Sequence, residues 1–234
     1  MTSSSAKPKT EVWWTAPTTA RGRQSQIKPY LAEPYGGMDM LHSMGELNDI
    51  LRLMDAPVPE DRRPTDLRWQ LRKVTDKERD LPDAQKIYMG AIMVSEAFRD
   101  VASGFDLGES QFIEVPLYEG KSMHPMSGQV EINPDRRDPR RWFLFHILPR
   151  KIALMPEASS GVSSRRWPDQ SIRWSVNVPG VPDVVLDPAA AEGPDVWHDP
   201  NLLGIIFFSD RLKRAIKAAK LHTPAFAFNP CRTA

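Results

Sequence analysis

Five histidines (His42, His124, His146, His198 and His222) and a single cysteine, Cys231, are the side chains of this 234-residue chain best suited to proton transfer, metal binding or nucleophilic attack. An imidazole does such work only with partners brought to it, and those are most readable at short sequence spacing. No two histidines stand close enough for a local metal pair. No CxxC, HExxH, Walker-type loop or GxSxG occurs. His146 lies in "WFLFHIL" and reads as a sheet histidine rather than a ligand. Cys231, near the C-terminus and without an activating motif, reads as an incidental thiol. "SSGVSS" could offer backbone N–H groups to a phosphate, but a flexible loop is the simpler reading. No residue is assigned a catalytic or metal-binding role, and nothing calls for a cofactor.

Charge supplies two further candidates. Arg136, Arg137, Arg140 and Arg141 crowd "NPDRRDPRR", partly neutralised by Asp135 and Asp138. A solvated hairpin turn is preferred there over phosphate contact. Between Asp183 and Asp199 stand Asp183, Asp187, Glu192, Asp195 and Asp199, with no lysine or arginine among them. Such a surface could imitate phosphates and plug the basic cleft of a nuclease-type partner, with Trp197 as an aromatic anchor. An ordinary acidic loop is the competing reading. Lys7, Lys9, Arg21, Arg23 and Lys28 read as solvated. With 31 basic and 30 acidic residues, no overall field favours nucleic acid or an anionic membrane.

The elements that must position these residues follow from pattern. The chain is 41% hydrophobic and 26% charged, a folded composition, and its 22 prolines demand many turns and strand edges. Residues 1–28 are expected to form a flexible arm with one short strand, "EVWWT", in which Trp13 and Trp14 face opposite sides. Residues 29–234 are expected to be a single domain with possible sub-units 29–85 and 86–234. Met40, Leu41, Met44, Leu47, Leu51 and Met54 recur at helical spacing and are read as a core-facing stripe. Strands are expected in "LRWQLRKV", Ile87–Val94, "SQFIEVPLY", "WFLFHILPRKIALM", "IRWSVNV", "DVVLD" and "AFAFNP", with Pro116 marking an edge or bulge. Glu157–Arg166 is expected to be a loop. Grouped strands and few helices predict an α+β fold, mixed and mainly antiparallel. No N-terminal apolar run or membrane-length stretch is present, and one cysteine makes no internal disulfide, so a cytoplasmic protein is the default.

One local pattern occurs twice. "AIMVSEAFRDVASGF" (91–105) and "IIFFSDRLKRAIKAA" (205–219) align at a shift of 114 positions. Ser95 meets Ser209, Glu96 meets Asp210, and Phe98, Val101, Ala102 and Phe105 meet Leu212, Ala215, Ile216 and Ala219. Each copy is an apolar strand, a serine suited to cap a helix, an acid complementing the helix dipole, and one apolar helix face. Beyond the helix, Phe112 falls on Phe226. Duplication and coincidence both remain open from sequence.

An apolar strand leading into "VSEAFRDV", then "QFIEVPLY", "RRWFLFHIL" and a closing "IIFFSDRLKRAIKAAKL" resembles immunity protein family eleven of bacterial polymorphic toxin systems. The resemblance covers roughly Ala91 to Pro230. It departs where a glycine is expected after the final helix and "LHTPAF" stands instead. It implies a non-enzymatic cytoplasmic protein that binds a cognate protein toxin and neutralises it by occlusion. Delivery of that toxin by type VI secretion is a fitting setting. No membrane or direct nucleic-acid partner is implied, and homo-oligomerisation is left open. The alternatives are an enzyme that reverses a toxin's modification, needing His146, His198 or His222 among carboxylates, and a nucleic-acid-binding module. Low-specificity toxin-contact candidates are Asp183, Asp187, Glu192, Asp195, Trp197 and Asp199; Ser95, Glu96, Ser209 and Asp210 are assigned to helix capping.

Overall fold

The computed structural model describes residues 11–16, 27–31, 56–60, 67–71, 81–86, 92–122, 130–176 and 182–234, with backbone alone at 27–31, 67–71, 118–122 and 130–136. The methionine-striped helix expected at 38–54 lies outside them, as do His42, His124 and the basic residues before position 27.

Two four-stranded antiparallel sheets, built alike, carry the described fold. The first is ordered β4 (Ala84–Lys86), β5 (Ile92–Ser95), β9 (Trp142–His146) and β6 (Gln111–Val115), with helix α1 (Glu96–Ala102) following β5. The second is ordered β13 (Val196–Trp197), β14 (Ile206–Ser209), β1 (Val12–Thr15) and β15 (Asn229–Pro230), with α2 (Asp210–Ala218) following β14. A third sheet joins β2 (Ile27–Leu31), β3 (Leu67–Leu71), β7 (Leu117–Ser122) and β8 (Val130–Arg137), where β3 and β7 run parallel. A hairpin of β10 (Val162–Arg166) and β11 (Ile172–Val176) and a parallel pair of β12 (Val185–Leu186) with β16 (Arg232–Thr233) complete the described strands. This is an α+β fold, mainly antiparallel.

The second sheet takes its interior strand from the N-terminus. β1 lies between β14 and β15, pairing Val12 with Ser209 and Trp14 with Asn229. Its tryptophans part as strand alternation requires: Trp14 is buried and Trp13 half-covered.

Period-two alternation also explains the two cores. Val196, Ile206 and Phe208 face the same cluster as Ile92, Val94, Phe143 and Phe145, and both helices sit in it through Phe98, Ala102, Leu212 and Ile216. Trp197, Phe207, Val12 and Trp14 face a second core with Val184, Leu186 and Leu202. Burying each such large side chain contributes about 2–3 kcal/mol, so a sheet buried on both faces needs the continuous apolar runs seen here.

The repeat in the sequence is a repeat in the structure. Ser95 Oγ accepts from the Phe98 amide at 3.2 Å, and Ser209 Oγ from the Leu212 amide at 3.1 Å. The amides of Glu96 and Asp210 donate to the carbonyls of Arg141 and Glu11, the residues just before β9 and β1. Arg99 lies over the Phe143 ring and Lys213 over the Trp13 ring, at equivalent places in the two units; Arg141 also approaches Phe143. α2 has 9 residues and α1 has 7, so the 114-position shift widens by two beyond the helices. Phe226 therefore shares the core with Phe98 without lying in a strand, and Ala219, the C-cap of α2, is exposed.

Reciprocal aspartates clamp the two units together. Asp83 accepts from Ser95 Oγ (2.7 Å) and from the amide of His222 (2.8 Å), four residues past α2. Asp195 accepts from Ser209 Oγ and from the amide of Asp106 (2.9 Å), four residues past α1. In return the Asp83 and Asp195 amides donate to the carbonyls of His222 and Asp106. Each unit thus holds its own helix start and the other unit's helix exit with one carboxylate.

Four local expectations change. "WFLFHILPRKIALM" is a strand only at Trp142–His146. "NPDRR" is not a turn: β8 continues to Arg137, and the turn is confined to 138–141. The stretch 157–166 is not a loop throughout, since Val162–Arg166 pairs with β11. "AFAFNP" forms a strand only at Asn229–Pro230.

Candidate functional site

Of the five acids in the stretch from Asp183 to Asp199, Asp195 and Asp199 are interior, while Asp183 is half-exposed and Asp187 and Glu192 are exposed. Asp195 is fully buried and grips the Arg211 guanidinium as well as Ser209 and the Asp106 amide. Asp199 is buried; one oxygen accepts from the amides of Ala153 and Leu154, the other from Asn201. Trp197 is buried too, stacked on Phe207 at 4.1 Å between centroids. These three residues present no surface to a partner. Asp183 is half-exposed but forms a bidentate pair with Arg232, which holds its carboxyl below the usual range. Asp187 caps a short 3₁₀ turn through the Ala189 amide. Glu192 is exposed, and its carbonyl receives Lys151 Nζ. Two of the five acids are therefore internal braces, and Asp183, Asp187 and Glu192 remain at the surface.

The helix-cap residues stand where their types predict. Glu96 additionally meets Arg141, which also binds Glu114 in a bidentate pair, drawing the Glu114 carboxyl below its ordinary value. Asp210 accepts from Trp13 Nε1 at 3.0 Å and pairs with Arg214.

His146 and His198 come within electrostatic reach of each other and of Arg150. His198 donates Nδ1–H to the Ile205 carbonyl at 2.8 Å, and burial lowers its pKa to about 4. The His146 nitrogens are buried without a hydrogen-bond partner, and burial lowers its pKa as well. Among the described residues the charged group that acts on both imidazoles is the Arg150 guanidinium. His222 stands apart, its backbone held by Asp83. No cluster of three or more His, Cys, Asp or Glu side chains suited to a metal occurs among the described residues. Cys231 is buried, and its thiol is pushed up by that burial, the direction of an unreactive sulfur.

The hairpin of β10 and β11 has the character of a binding surface. The chain enters it through Gly161, whose φ of 71° suits glycine and whose missing Cβ leaves room for Pro182. The strands pair from Val162↔Val176 to Arg166↔Ile172. Pro168 presets the turn; the Asp169 carboxylate accepts from the Ser171 amide (2.9 Å) and hydroxyl (2.5 Å), and Gln170 takes the left-handed position at φ 66°. Midway along the hairpin, opposite Ser164, Trp174 packs on the second core; its amide donates to the Asn201 carbonyl and its carbonyl accepts from the Leu203 amide. At its tip Trp167 is 37% and Ile172 49% exposed. Arg173 stacks on Trp167 at 4.5 Å. Arg165, Arg166, Trp167 and Pro168 line a depression of ≈ 450 Å³.

The sequence marks β11 as a strand through "IRWSVNV" but not β10. Apart from half-buried Val162, β10 is exposed at every position, so no hydrophobic period marks it as a strand. The available signal was "RRWPDQS", a proline–aspartate turn flanked by arginines and a tryptophan. No protein-family model and no curated protein matches the chain.

Proposed function

We propose that this chain is a cytoplasmic immunity protein that binds a cognate antibacterial protein toxin one-to-one and neutralises it by occlusion, without turnover. The observation that carries the reading is the pair of strand–serine–acid–helix units. They are the residues on which the family resemblance rests, and here they form one continuous framework. That framework consists of packing and capping features. A protein whose task is to hold a surface rigidly against one partner needs such features and needs no reactive group. No helix among the described residues is long and apolar enough to cross a membrane.

The experiment is protection. Expressing the chain together with the toxic domain encoded beside its gene should restore growth. Calorimetry on the purified pair should give unit stoichiometry, with no change in the mass of either protein. Growth arrest despite stable expression of the chain, or a covalently altered toxin, would overturn the proposal.

A further inference from the structure

We infer that the β10–β11 hairpin is the surface that engages the partner, and that it docks an acidic patch on the toxin. The inference rests on the immunity reading and specifies which face of the molecule performs it.

Charge complementarity is the main argument. Half-buried Arg99 and, of the exposed arginines, those at 140, 141, 211, 214 and 232 each meet a carboxylate of this chain. Arg165 and Arg166 meet none among the described residues; Arg166 reaches only the Gln170 side chain, at 3.3 Å. Between Val162 and Val176 there are three arginines and one aspartate, and that aspartate lies 3.7 Å from Arg173. Arg165 and Arg166 are thus two exposed guanidiniums on successive positions of β10, with no counter-charge among the described residues. Guanidiniums of this kind pair bidentately with carboxylates supplied from outside.

Composition and rigidity agree. Trp167, Ile172 and the arginines combine an aromatic anchor, apolar area and forked donors, the residue types in which interface energy concentrates. The turn is locked by Pro168, Asp169 and Gln170 and the middle of the hairpin is fastened by Trp174, so little conformational freedom remains to be lost on docking. A protein partner is favoured over single-stranded nucleic acid because the Trp167 ring is already covered by Arg173, which removes one face from base stacking.

The test compares the wild-type chain with R165E/R166E, with W167A, and with E192K as a change in the exposed remainder of the acidic stretch. Each is titrated with the neighbouring toxic domain and, separately, with a short poly-dT oligonucleotide; circular dichroism checks that each variant is folded. Charge reversal should weaken toxin binding by about 10²- to 10³-fold and W167A by about 10-fold or more, while E192K stays within about 3-fold. If the wild-type chain binds the toxin and both hairpin variants bind equally well, the surface is wrong while the immunity reading stands. If the wild-type chain does not bind the toxin, the immunity reading falls and the surface assignment falls with it. Hairpin-dependent, salt-sensitive binding of the oligonucleotide would assign the surface to nucleic acid and overturn the inference.

Discussion

Asp195 and Asp83 make the same contacts in different surroundings, and the difference sets their worth. Asp83 is half-exposed, so water can replace its carboxylate at the Ser95 hydroxyl and the His222 amide. Asp195 is fully buried, and its loss removes at once the acceptor of the Ser209 hydroxyl and the Asp106 amide and the partner of the exposed Arg211 guanidinium, and leaves a polar hole in the interior. Asp195→Ala should therefore cost about 3 kcal/mol or more, and Asp83→Ala about 1–2 kcal/mol, in urea unfolding. Equal losses would show that the two units are not clamped as described. A gain is expected at Lys220, which follows α2 with φ 54°, in the left-handed region that favours glycine. Lys220→Gly should stabilise the fold by about 1 kcal/mol, read as a raised unfolding midpoint. The serine caps were legible because a cap is a local motif. The roles of Asp195, Trp197 and Asp199 were not, because an acid-rich run reads as surface. Their partners lie as far away as Asp106 and Ala153.

Elements were legible where burial imprints a period and illegible where it does not. β5, β9 and β14 are buried at nearly every position and announce themselves as apolar runs. β10 has no such imprint. β1 was readable as a strand from "EVWWT", but its place inside the second sheet was not, because its partners β14 and β15 lie nearly the whole chain away. That placement makes the N-terminal segment an interior part. Removing residues 1–16 should leave β14 and β15 without the strand between them and open Trp197 and Phe207 to water. Hydrogen exchange should then lose protection across 206–233 while 92–115 is less affected. Unchanged protection at 206–209 would contradict the strand order.

At the scale of the whole molecule, acid sensitivity follows from the histidines. His198 is held neutral, with a folded pKa near 4 against an ordinary 6.5. As pH falls below about 6.5 the unfolded chain takes up a proton that the folded chain refuses, so stability present above that pH is lost progressively down to about 4. The loss from this residue is at most about 3 kcal/mol. His146, lowered for the same reason, acts in the same direction. Paired carboxylates such as Asp183 and Glu114 have folded values below their ordinary ones, so their contribution fades only at still lower pH. Urea midpoints measured between pH 7.5 and 4.5 should fall for the wild-type chain and fall less for His198→Asn; parallel curves would exclude this cause.

The shared strand order has a consequence for synthesis. β1 leaves the ribosome with no partner made, and the first slot of its kind to appear is the one between β5 and β6, vacant until β9 is translated. Register equivalence shows what sorts the two strands. Glu11 occupies in β1 the place that Arg141 occupies before β9, since each gives its carbonyl to the first amide of a helix. Arg141 is welcomed in that slot by Glu96 and Glu114. A premature β1 would bring a third carboxylate to the same spot, and like charges repel where the native strand makes two ion pairs. Glu11→Arg should erase that distinction, adding a slow phase to refolding from denaturant while leaving the wild-type kinetics free of it; identical traces would show that some other feature keeps the early strand out.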